Sequence, residues 1–144
     1  MKKSIICLII LVGTIFSSCS STKNASQKEL YNTTWELDFI TGSRIEFEGL
    51  YPEKNQQITF IEKTNIAQGT NSCNGYSAKY TLDGNKISFS EPGPTTMMYC
   101  EGDGDSAFLK MMEKVESFSF EADKKLNLIA HGIPVMRFKK VITE

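Results

Sequence analysis

Gly69-Thr70-Asn71-Ser72-Cys73-Asn74-Gly75-Tyr76 is the stretch that decides how the rest of the chain is read. Two glycines, two asparagines, a serine and a threonine crowd around one cysteine, a composition suited to tight turns and positive φ angles. Directly after it, Tyr76, Ala78, Tyr80 and Leu82 alternate with Ser77, Lys79 and Thr81, the period of a half-buried strand. A second cysteine, Cys100, closes the next hairpin. The stretch reads as a pinned crossing in a small β-protein rather than as an active site.

Period-two patterning extends outward on both sides. Upstream, Trp35, Leu37 and Phe39 alternate with Glu36 and Asp38, and Ile45 and Phe47 with Glu46 and Glu48. Ile58 and Phe60 mark a further strand, followed by one from Ile66 into the Gly69 turn. Downstream, Asp83-Gly84-Asn85 is a hairpin signal with Ile87 and Phe89 on the returning strand. Glu91-Pro92-Gly93-Pro94 is expected to be a loop, because two prolines interrupt a ladder. Then the period changes: Phe108, Leu109, Met112 and Val115 share one face of a helix that Asp105 or Ser106 can cap. Alternation resumes at Phe118 and Phe120, at Leu126, Leu128 and Ala130, and at Met136 and Phe138. The expected fold class is mainly β: a small antiparallel barrel or roll of about eight strands with one packed α-helix.

The first residues belong to a different kind of segment. Met1-Lys2-Lys3 is cationic, Ile5 to Phe16 is apolar, and Ser17-Ser18-Cys19 follows. The apolar run falls short of the roughly 20 residues needed to span a bilayer, and the three parts are those of a secretory signal peptide. Phe16-Ser17-Ser18-Cys19 resembles the lipobox of a bacterial lipoprotein in its looser form, since Phe16 and Ser18 replace the commoner Leu and Gly or Ala. Cleavage before Cys19 would leave lipid on that residue, and two or three acyl chains anchor almost irreversibly. Ser20 in place of Asp resembles lipoproteins sent to the outer membrane, and no acidic surface-export run follows. The chain thus divides into a signal peptide at 1–18, a polar tether at 19–33 and a domain at 34–144 facing the periplasm.

Charge narrows the partners. Removing Lys2 and Lys3 from the 16 Lys and Arg leaves 14 against 17 Asp and Glu, about −3 overall. No basic stripe is available to displace counterions, so a nucleic-acid partner is not expected. The membrane is expected as a partner through the lipid on Cys19.

Trp35-Glu36-Leu37, Gly69 through Asn74, and Thr96-Met97-Met98-Tyr99-Cys100 resemble the three marks of the META domain, also called HslJ-like. The resemblance runs from Asn32 to about Lys140 and takes in the helix and the paired strands ending at Met136-Arg137-Phe138. It implies a small barrel-like domain with one helix, an envelope or exported location, and a link with stress and antibiotic tolerance. It implies no catalytic residues.

Cys73 and Cys100 read as a structural disulfide or as two buried thiols, since exported domains sit where disulfides persist. A metal site lacks support, as no Cys-x-x-Cys or neighbouring His accompanies them. Glu101, Asp103 and Asp105 fall short of a calcium loop, and the sole histidine, His131, reads as a turn beside Gly132. No nucleophile motif or phosphate loop is present, so no catalytic residue and no cofactor is expected. The inward aromatics Trp35, Tyr76, Tyr80 and Phe89 fill a small barrel or line a cavity. Two functions lead: a non-enzymatic envelope lipoprotein working by binding, with an envelope protein as partner, or by supporting the envelope under stress; and a lipocalin-like carrier of a small apolar ligand. A hydrolase ranks last, because the sequence offers no nucleophile–base pair.

Overall fold

A computed structural model describes residues 27–42, 49, 51, 56–94, 96, 98, 99 and 102–142. The leader, Cys19, the strand expected at Ile45 to Phe47, and Cys100 lie outside the described residues. Nine strands follow in chain order: β1 (Thr34–Ile40), β2 (Gln57–Ile61), β3 (Ile66–Thr70), β4 (Gly75–Asp83), β5 (Lys86–Phe89), β6 (Gly93–Pro94), β7 (Ser117–Phe120), β8 (Leu126–Ala130) and β9 (Ile133–Lys140). One helix, α1 (Gly104–Met112), separates β6 from β7. Every strand pairing is antiparallel, in the order β3-β2-β1-β9-β8-β7-β5-β4, and β4 returns to β3 to close the ring. Closure leaves the ring without a free edge, the hazard an open sheet of this length would carry.

The alternating side chains fill the inside. Trp35, Ile58, Phe60, Tyr76, Phe118 and Phe138 are all essentially buried. The helix adds Phe108, whose ring centre lies 5.2 Å from Tyr76 and 6.3 Å from Phe138. Met111 and Met112 share its buried face, and Val115 is buried just past its end. The polar tips of the buried rings find main-chain acceptors: Trp35 Nε1 donates to the Leu30 carbonyl, Tyr76 Oη to Gln57 and Tyr80 Oη to Ile61. A filled interior with its hydroxyls bonded is what a barrel of this strand number sustains.

Several expectations change. Phe39 does not follow Trp35 and Leu37 inward; it is 40% exposed, and Ile40 is buried instead. The β1–β9 register slips between Leu37 and Phe39, and one extra residue sends the next side chain to the other face. Asp38, the extra residue, accepts from Arg137 Nε at 2.8 Å, and the guanidinium lies 5.6 Å from the Phe39 ring centre. Gly93–Pro94 is a strand rather than a loop: it pairs with Tyr76 and Ser77 at the rim, where β4 is its only partner among the described strands. The proline's missing donor is tolerated at such an edge. The helix starts after Asp103, which makes no side-chain cap bond, while Asp105 lies in the first turn and accepts from the Ser106 amide.

The domain also begins earlier than the tether boundary at 33. Residues 27–30 form a helical turn, Leu30 is fully buried beneath Trp35, and Gln27 Nε2 donates to the Gly84 carbonyl at 2.9 Å. A leucine at a barrel mouth covers apolar surface that a free tether would leave wet, which is why these polar-looking residues dock.

Candidate functional site

β3 ends at Thr70 and β4 begins at Gly75, so the cysteine stretch is the hairpin joining them at one end of the barrel. The Asn71 amide donates to the Asn74 carbonyl at 3.0 Å and closes the turn over Ser72 and Cys73. None of the residues from Gly69 to Tyr76 has a positive φ, contrary to the expectation from its composition. Gly69 serves a different need. A Cβ there would overlap the Gln57 carbonyl oxygen on β2 and sit 2.7 Å from its carbon, so close strand approach requires glycine.

The hairpin's polar side chains are spent on a neighbouring segment. After its turn at Gly84, the chain runs back along β4: Phe89 faces Tyr80, Pro94 faces Tyr76, and Met98 arrives at Asn74. The buried Asn74 amide acts as a surrogate peptide. Its Oδ1 accepts from the Met98 amide at 2.7 Å, and its Nδ2 donates to the Met98 carbonyl at 2.8 Å. The Thr96 hydroxyl donates to the same Oδ1 and accepts from the Gly75 amide at 2.9 Å. The Cys73 sulfur lies 3.5 Å from the Tyr99 carbonyl oxygen. Cys73 is disulfide-bonded.

The start of α1 docks on the same hairpin. Asn71 Nδ2 donates to the Asp105 carbonyl at 3.4 Å, and Tyr51 Oη to the Gly104 carbonyl at 2.9 Å. Burial and the nearby Asp105 carboxylate push the Tyr51 phenol well above its ordinary range, which keeps it a donor. Asn71 Oδ1 is buried with no partner among the described residues, a cost the cluster carries.

Two large side chains face outward. Met98 is 56% exposed and Tyr99 95%. The cluster therefore holds main chain in place and presents two large side chains, and among its described residues no nucleophile stands beside a base. His131, in the β8–β9 turn, is exposed and lies 3.6 Å from the exposed Glu116. Among the described residues, no three His, Cys, Asp or Glu side chains gather as metal ligands, and no helix is long and apolar enough to cross a membrane. Trp35, Tyr76 and Tyr80 are core residues, and Phe89 is partly buried against them. The grooves among the described residues include one of about 660 Å³ by Asn32, Thr33, Lys140 and Ile142, and one of about 410 Å³ over Gly69 and Thr70. Sequence reading placed the motif but missed the role of Asn74, whose partners lie more than twenty residues away.

Comparison with known proteins places this geometry among relatives. A family model described as the META domain matches residues 28–142. The chain resembles an NMR structure of a protein from Burkholderia xenovorans, with a TM-score of 0.61 and 20% identity over 91% of this chain and 96% of that one. A second NMR structure aligns with a TM-score of 0.54 and 17% identity, covering 77% of this chain and 92% of the other. Both likenesses concern the fold. No protein of curated function matches.

Proposed function

Because the chain belongs to the META domain family, we propose that it is a non-enzymatic lipoprotein of the bacterial cell envelope. Its leader at 1–18 is removed, Cys19 carries the lipid, and the domain faces the periplasm from the outer membrane. There it acts by binding, in support of the envelope under stress or antibiotic challenge. The observation that carries the binding reading is how the motif residues are used. Asn71 and Asn74 bond main chain, Thr96 bonds the Gly75 amide and Asn74, and the exposed products of that arrangement are Met98 and Tyr99. The carrier reading is less well supported, since Trp35, Phe60, Tyr76, Phe118 and Phe138 occupy the centre of the ring.

The bridge at Cys73 is assigned to Cys100, the cysteine next to the Tyr99 carbonyl that Cys73 already touches. A loop of about 27 residues closed this way contributes roughly 3.5 kcal/mol in the chain-entropy model. Peptide mapping without reduction checks it: one Cys73–Cys100 cross-linked peptide is expected, and an alkylated Cys100 in folded protein overturns it. Anchoring is tested by fractionation. The wild type should partition with the outer membrane, and Cys19→Ala should be soluble or unprocessed. A Cys19→Ala protein still in the detergent phase at wild-type mass would refute lipidation.

A further inference from the structure

β4 spans nine residues and joins the two ends of the barrel. At about 3.3 Å per residue its termini lie roughly 26 Å apart. At one terminus the Gly84 carbonyl accepts from Gln27, which fixes where the N-terminal chain meets the domain. At the other stand Asn74 and the residues it bonds, Thr96 and Met98, with Tyr99 beside Cys73. Only residues 20–26 separate Cys19 from Gln27, a reach of at most about 28 Å when fully stretched. An anchor at Cys19 therefore holds the Gly84 end within about 28 Å of the bilayer.

The Asn74 end has a definite chemical character. Tyr99 and Met98 project from main chain held by the Asn74 amide, so their presentation costs little further ordering when a partner binds. Tyrosine is suited to such a role, being large and amphipathic with few rotatable bonds. Beside them, Asp103 is exposed and Asp105 half-exposed at the start of α1, which Asn71 holds against the same hairpin. From Thr96 to Leu109 the sequence contains no Lys or Arg to neutralise them.

We propose that the Met98–Tyr99 corner, flanked by Asp103 and Asp105, is a docking surface for another envelope protein, one offering an apolar hollow rimmed by Lys or Arg. The proposal deepens the binding role proposed above, and takes from it only that the chain acts in the envelope. The exposed carboxylates select a protein over a lipid surface, because an anionic leaflet repels them. The carboxylates select a basic rim, since opposite charge steers association and like charge rejects it.

The test uses the full chain in cells that export it. A benzophenone amino acid replaces Tyr99 in one variant and the exposed Asn85, at the Gly84 end, in another. The Tyr99 probe should give one discrete protein adduct that the Asn85 probe does not. Asp103→Lys with Asp105→Lys should weaken binding of the purified partner about tenfold, and that binding should weaken as salt rises. Tyr99→Ser should reduce binding while leaving the unfolding midpoint unchanged. An adduct to lipid, an adduct to a second copy of this chain, no adduct, or affinity indifferent to the charge reversal would each overturn the proposal. Fractionation of the same cells separates the two readings: a soluble chain that still forms the adduct defeats the anchor and leaves the docking surface standing.

Discussion

Removing the Asn74 side chain tests the surrogate-peptide role directly. Asn74→Ala deletes at least three hydrogen bonds: two accepted at Oδ1 from the Met98 amide and the Thr96 hydroxyl, and one donated from Nδ2 to the Met98 carbonyl. Each is worth about 0.5–1.5 kcal/mol net, and the freed Met98 groups lie near water, so a loss of about 2–3 kcal/mol is expected. That is a large part of the roughly 5–15 kcal/mol that holds a domain of this size. Asn74→Asp is the sharper variant. It keeps both accepted bonds but turns an oxygen toward the Met98 carbonyl, so it should also destabilise, by at least about 1 kcal/mol. Urea unfolding measures both, and amide hydrogen exchange at Met98 should accelerate in each. Variants within about 0.5 kcal/mol of wild type, a size usual for surface changes, together with unchanged Met98 exchange, would refute the role.

Further outcomes follow from the same geometry. Gly69→Ala should cost about 1–3 kcal/mol or more, because its Cβ would meet the Gln57 backbone rather than a movable side chain; an unshifted urea midpoint would show that β2 and β3 separate freely. Trp35→Ala empties a fully buried site and frees the Leu30 carbonyl, for an expected loss of about 3–5 kcal/mol, and a loss under about 1 would contradict it. Burial raises the phenols of Tyr51, Tyr76 and Tyr80 above their ordinary 10.0, so the unfolded chain gives up these protons first. Their contribution is intact below about pH 10 and should fall away as pH rises beyond it, read as a dropping urea midpoint with tyrosinate absorbance appearing only on unfolding.

The ring was legible in sequence wherever a strand keeps one strict period. Tyr76, Ala78 and Tyr80 point inward as their alternation requires, and Gly84 takes the positive φ that its hairpin needs. Legibility failed where a distant residue decides the local geometry. Nothing between Trp35 and Ile40 announces the slip at Asp38, whose hydrogen-bond partner, Arg137, arrives on the last strand. Gly93–Pro94 joins a sheet only because the rim leaves its outer side open. Asp105 and Ser106 carry the composition of a helix cap, yet the helix starts one turn-position earlier, where Asn71 and Tyr51 bond its first carbonyls. The glycine- and asparagine-rich stretch signalled a turn correctly in place but not in mechanism. Its composition suggests backbone freedom, whereas the fold uses Gly69 for close approach and Asn74 as a substitute for main chain.

Mass analysis of the mature protein's N-terminal peptide tests the central claim most directly. An anchored envelope domain predicts a chain that begins at Cys19, with the sulfur carrying a diacylglycerol thioether and the amino group acylated. A mature chain that begins elsewhere, or that begins at Cys19 with an unmodified thiol, would contradict it.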